Sequence, residues 1–207
     1  MNSRFSLFDS VVLDSSFSYS VLRDQFFFTG MDTYMHGIKS LNGRYREAFA
    51  DALSREAVGL VCEVFARDDM VLGEKRVHLM IALSLGGTAI AGTYVGLIHS
   101  MSAALSVVFG THHGMSNCMV RRAMEGKYPA QYRELWSTVD RQEIETPTLN
   151  GASLPQHQLD RLSAATMIYD RPLFNALRPD GSCKSNPGKG DGVGTLGAVQ
   201  PADRRTC

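Results

Sequence analysis

The sequence has no excess of either charge. Its 207 residues hold 21 Lys and Arg against 21 Asp and Glu, for a formal net charge of +0 and a pI near 7.0. A balanced chain has no global field to hold nucleic acid or an anionic membrane surface, so neither is expected as a partner and function must lie in a local site. Cysteine is scarce too. Cys62, Cys118, Cys183 and Cys207 are widely spaced and form no CxxC pair, which argues against a disulfide framework and for reduced thiols in a cytoplasmic protein. No secretory signal is read in the first thirty residues, because Asp9, Asp14 and Asp24 interrupt every apolar run. There is no internal repeat. The length suits one domain with a full core, or one domain plus a poorly ordered extension, rather than two complete domains.

One absence is local. Between Val77 and Val120 there is no Asp, Glu, Lys or Arg. A membrane hairpin is one reading, since a spanning helix needs about twenty apolar residues. However, Ser84, Gly86, Gly87, Thr88, Gly92, Thr93, Ser100 and Ser102 dilute the run, and His112 and His113 follow near its end. Helices buried all round in a soluble helical domain are therefore expected.

Taken in order, Phe5–Phe8 and Val11–Leu13 read as a short strand and turn. Thr29-Gly30 reads as a break, followed by a helix over Met31–Leu41 that Asn42-Gly43 stops. Apolar spacing predicts a second helix over Tyr45–Arg67 and a third over Leu72–Leu85. The third is expected to end or bend at Gly86-Gly87 before a fourth over Ile90–Val107. Phe109–Gly114 is a loop, and helices follow over Met115–Met124, Ala130–Val139 and Pro155–Tyr169, with a loop at Glu145–Ser153. From Arg178 the chain turns to Gly, Pro and charge without apolar periodicity, which predicts disorder.

What the sequence does have is histidine in telling places. Asp32 and His36 stand at i and i+4, one turn apart on one helix face. His99 lies inside the uncharged run, where a buried imidazole needs a partner, and His113 follows fourteen positions later. One carboxylate and three neutral imidazoles could enclose one divalent metal, suit Fe(II) or Zn(II), and leave a position for a substrate oxygen. His78 and His157 read as ordinary histidines.

These residues resemble a known family. Gly30-Met31-Asp32-Thr33-Tyr34-Met35-His36 resembles the G-x-D-x-x-x-H element of the iron-containing (group III) alcohol dehydrogenases. Gly96-Leu97-Ile98-His99 and His113-Gly114, with Asn117 beyond, resemble that family's later histidine elements. The Phe-Gly-Thr-His-His-Gly and Thr-Gly-Met-Asp-Thr-Tyr stretches also resemble the branch acting on sugar acids, the 3-deoxy-octulosonate 8-oxidase group. The resemblance covers roughly residues 5 to 177. It implies a mainly α, dehydroquinate-synthase-like helical domain with Asp32, His36, His99 and His113 as ligands of Fe(2+) or Zn(2+). It also implies a small alcohol or sugar acid as substrate, with hydride passing to NAD(P).

The sequence departs from the family in three places. Only about thirty residues precede Asp32, where the family carries its nucleotide-binding domain, so most of the NAD(P) site is expected to lie elsewhere. Ala103 stands where many members have a second histidine. The likeness stops near Leu177. The expected division is 1–28 as a junction, 29–177 as the metal-binding domain and 178–207 as a tail, which makes the chain read as a fragment. Gly192–Gly197 matches G-x-G-x-x-G but lacks the strand and helix that a dinucleotide site needs. The competing function is a non-catalytic helical module that binds metal or a partner. A face left open by a missing domain would favour a homo-oligomer.

Overall fold

The computed structural model describes residues 10–120, 125–126, 128–149 and 153–168, and the fold is mainly α. The α-helices are α1 (Arg23–Asn42), α2 (Ala48–Phe65), α3 (Gly73–Thr93), α4 (Leu97–Phe109), α5 (His113–Met119), α6 (Pro129–Arg141) and α7 (Gln156–Met167). Helices α1, α2 and α3 pack on one another; α5 packs on α1 and α4, and α7 covers α4.

The longest-range consequence concerns α1. Phe26, Phe27, Met31, Tyr34, Met35 and Ile38 recur at helical spacing and are all buried, so tertiary packing extends the helix well upstream of the expected start at Met31. Gly30 does not break it. A Cβ at Gly30 would stand 2.4 Å from the Phe65 ring, so the residue's small size lets that ring approach α1 closely. The ring also meets Phe27 at 5.1 Å and Phe26 edge-on at 6.3 Å, which builds the aromatic centre of the core. The helix ends at Asn42, before Gly43, as its sequence predicts.

Gly86-Gly87 likewise lies inside α3 rather than at its end. Gly86 faces α1, where a Cβ would meet Thr33 Cγ2 at 3.0 Å. The chain turns instead at Tyr94, whose φ of 63° and ψ of 157° are costly for a residue with a side chain. That turn launches α4 with His99 as its third residue. Among the described residues no single helix is long and apolar enough to cross a membrane. Helices α3 and α4 meet those limits only as a pair, bent by 109°.

At the N-terminal end, residues 10–14 have no regular structure, and Ser15–Ser18 forms a 3-10 turn capped by Asp14. Val11–Leu13 is therefore not a strand, because no neighbouring strand is there among the described residues to pair with it. Arg76 holds this segment down: it donates to the Ser18 carbonyl, and its guanidinium lies over the Tyr19 and Phe26 rings at 5.6 and 5.3 Å. Cys118 is buried in the core and forms no disulfide. The expected elements at Phe5–Phe8 and 178–207, with the Gly192–Gly197 pattern, lie outside the described residues.

Candidate metal centre

The four side chains singled out by the sequence meet at one place. Asp32 and His36 share a face of α1, His99 enters from the first turn of α4, and His113 opens α5. Two local devices bring His113 in. Gly110 closes α4 in the left-handed conformation (φ 69°), and Ser116 Oγ ties the following loop to α5 through Thr111 Oγ1 at 2.6 Å and the His112 carbonyl at 3.0 Å. Gly114 then lets α5 press on α1, since a Cβ there would stand 2.6 Å from the Phe28 carbonyl oxygen.

Asp32 Oδ1 is the hub. It stands 3.1 Å from His99 Nε2 and 3.6 Å from the Nε2 atoms of both His36 and His113. The ligand atoms of Asp32, His36 and His99 all lie within 4.8 Å of one another. His36 and His99 stack with ring centroids 4.4 Å apart, and His113 leans against His99 at 5.2 Å. Burial is graded across the cluster: the His99 side chain is 6% exposed and that of His113 39%, so the site has a closed inner side and an open rim.

The electrostatics favour neutral rings. Burial, reinforced by His99 and only partly offset by Asp32, pulls His36 down to about 3. Burial, then Lys39 and His113, holds His99 well below its ordinary value. Neutral imidazole is the form that binds metal. The spacing fits as well. Donors placed tetrahedrally at roughly 2.0–2.2 Å from one ion stand about 3.3–3.6 Å apart, close to the distances around Asp32 Oδ1. Asp32, His36 and His99 thus bring together three donors of the kind that hold a divalent ion, while His113 approaches the same carboxylate oxygen at 3.6 Å but lies outside that mutually close group.

Two further residues touch this cluster. Asn117, one turn after His113 and fully buried, donates from Nδ2 to Asp32 Oδ1, while its Oδ1 is buried without a hydrogen-bond partner. The sequence flagged Asn117 by position but gave it no role. Lys39 went unnoticed. It lies one turn after His36 on the same face, is 2% exposed, and brings Nζ to 3.2 Å from His99 Nδ1. Burial lowers its pKa well below the usual lysine value, against a pull in the other direction from Asp32. The only signal was its i, i+3 spacing from His36. Other histidines stay apart: His112 meets Gln25 at 3.0 Å, His78 pairs with Glu63 at 3.4 Å, and His157 is exposed.

The chain is similar to known proteins. Residues 26–141 match the family model described as Fe-containing alcohol dehydrogenase family, C-terminal. The 1,3-propanediol dehydrogenase of Citrobacter freundii is 25% identical over 182 residues, which cover 79% of this chain and 47% of that enzyme. Among solved structures, the iron-containing alcohol dehydrogenase of Thermotoga maritima superposes with a TM-score of 0.64 at 20% identity, covering 81% of this chain and 50% of that one. The sulfoacetaldehyde reductase of Bifidobacterium kashiwanohense, solved with NAD+, gives a TM-score of 0.65 at 19% identity over 79% of this chain and 48% of that one. The chain spans less than half the length of the curated relatives it matches.

Proposed function

The chain belongs to the iron-containing alcohol dehydrogenase family, and from that membership we propose that it supplies the metal side of an NAD(P)-linked oxidoreductase acting on a small alcohol or sugar acid. The carrying observation is the approach of one carboxylate oxygen to three imidazole nitrogens at 3.1 to 3.6 Å. In this reading Asp32, His36, His99 and His113 hold one divalent ion, iron by family likeness and zinc by the same donor chemistry. Such an ion supplies Lewis acidity toward a hydroxyl or carbonyl oxygen.

The chain's own residues do the rest of the work assigned to this side. Asp32 offsets part of the cationic charge and aligns three rings through one oxygen. His36 and His99 seal the inner side from water, and the half-exposed His113 leaves the outer side open to substrate. The alcohol carbon gives its hydride to a nicotinamide dinucleotide held mainly outside the helical unit, which takes in the whole of α1 from Arg23 rather than beginning at residue 29. With alanine at position 103, the hydroxyl proton leaves toward solvent past His113 rather than through an imidazole one turn beyond His99. A helical module without catalysis is the competing reading, and the contact between Lys39 and His99 is the observation in its favour.

Elemental analysis of anaerobically purified protein tests the centre. About one iron or zinc per chain is expected in the wild type, with loss in both His99→Ala and His113→Ala. Folded wild type that stays metal-free when supplied with either ion would sink the reading.

A further inference from the structure

Away from the donor cluster, a cleft opens between α1, α3 and the Ser15–Ser18 turn. It encloses about 370 Å³ of free space, is open to solvent, and is walled by Val21, Phe26, Leu79, Met80 and Leu83 with Arg76 among them. The walls follow from helical spacing: Arg76, Met80 and Leu83 recur at i, i+4 and i+7 along α3, and Phe26 faces them from α1. Apolar walls around a few fixed polar groups are the ordinary form of a small-molecule site.

Arg76 is the unusual member. It is 8% exposed and permanently charged. Nε donates to the Val71 carbonyl at 2.8 Å, Nη1 donates to the Ser18 carbonyl, and the Tyr19 and Phe26 rings lie beside the guanidinium. Among the described residues no carboxylate pairs with it and no acceptor meets Nη2. Carbonyls and ring faces orient a cation without neutralising it, and a buried charge is ordinarily paired. The cleft's two hydroxyls are already committed, Ser18 Oγ to the Ser15 carbonyl at 2.6 Å and Thr29 Oγ1 to the Gln25 carbonyl at 2.8 Å. What remains is one fixed cationic edge beside hydrocarbon. A carboxylate oxygen would complete Nη2 with a charge-assisted bond, and an apolar body would cover the walls. A polyol does not suit the same space, because its hydroxyls would meet Leu79, Met80 and Leu83 without partners.

We infer that this cleft is a binding site for a small organic acid with an apolar body, its carboxylate on Arg76 and its hydrocarbon against Leu79, Met80 and Leu83. The site is separate from the metal centre, since none of the four proposed donors lines it. Its ligand touches the turn, α1 and α3 at once, so binding also stabilises the fold.

The test is titration of the metal-free full chain with hexanoate, followed by NMR of the leucine and methionine methyl groups, with 1-hexanol and acetate as comparison probes. Saturable binding is expected, with shifts centred on Leu79, Met80 and Leu83. Hexanoate should bind at least about tenfold more tightly than 1-hexanol, which lacks the charge, and than acetate, which lacks the chain. Met80→Trp fills the cleft while leaving the Arg76 bonds to Ser18 and Val71, and it should weaken hexanoate binding about tenfold or more. Arg76→Gln should bring hexanoate down to the level of the alcohol. No saturable binding of hexanoate, equal binding of 1-hexanol, or shifts centred on other residues would overturn the inference, as would unchanged affinity in folded Met80→Trp. Should either variant fail to fold, the ranking of the three probes and the shift map of the wild type decide.

Discussion

The two sides of α1 are built on opposite principles. On one, Met31, Tyr34, Met35 and Ile38 enter the apolar core, where every contact with Val61, Val64 or Phe65 lowers the free energy and none depends on a further ligand. On the other, Asp32, His36 and Lys39 gather with His99, His113 and Asn117, where burial opposes charge and each polar atom relies on its neighbour. The apolar side holds the helix in place, and the polar side uses the place so provided. Stability and ligand binding should therefore be separable by mutation.

The largest break in that comparison is Phe65→Ala. The ring is fully buried and touches two other aromatic rings, so its loss should cost about 3–5 kcal/mol of unfolding free energy. Urea unfolding would measure the cost. Metal stoichiometry of the folded fraction in the cold should persist, because Phe65 touches none of the donors through the contacts that hold Asp32. A loss of less than about 1 kcal/mol would mean that the core is anchored elsewhere.

A smaller effect of the other kind is expected for Asn117→Ala. It removes the amide that donates to Asp32 Oδ1, a bond to a carboxylate worth about 1.5–3 kcal/mol. Loss of an outer partner of a ligand should also lower metal affinity by roughly tenfold. Unfolding curves and metal titration on the same preparation separate the two consequences. A full stability loss with unchanged affinity would place Asn117 with the core instead.

The ease of reading each side from sequence follows the same division. Asp32 and His36 were legible because i, i+4 spacing is local, and His99 and His113 because imidazoles stand out in a run free of charge. The mainly α character, with seven α-helices among the described residues, followed from apolar periodicity. What escaped depends on partners far along the chain. Gly30 looks like a break until Phe65, thirty-five positions later, needs the space; Gly86 serves Thr33 in the same way. The bend at Tyr94 has no local signature, since a tyrosine gives no hint of positive φ. A lysine on a helix reads as solvated, yet Lys39 lies buried beside Gly96 and His99. Val11–Leu13 had strand-forming residues, but β-structure needs a neighbour as well as propensity.

The smallest effect tests whether the two sides are independent at all. Tyr34 lies two residues after Asp32 yet points into the core, where its hydroxyl donates to Glu134 on α6. Burial, followed by the bond to Glu134 and its charge, raises the pKa of this phenol, so it stays protonated and keeps donating at any pH at which the protein is handled. Tyr34→Phe keeps the ring and removes only that donor. It should cost about 1 kcal/mol, a shift of a few degrees in melting temperature. Its effect should add to that of Asn117→Ala in the double variant, because the two bonds share no partner and lie on opposite sides of the helix. Metal affinity should not move in Tyr34→Phe. Non-additivity beyond about 0.5 kcal/mol, or weakened metal binding in the single variant, would show that α1 transmits strain from its packed side to its ligand side, and stability could then no longer be altered without altering the centre.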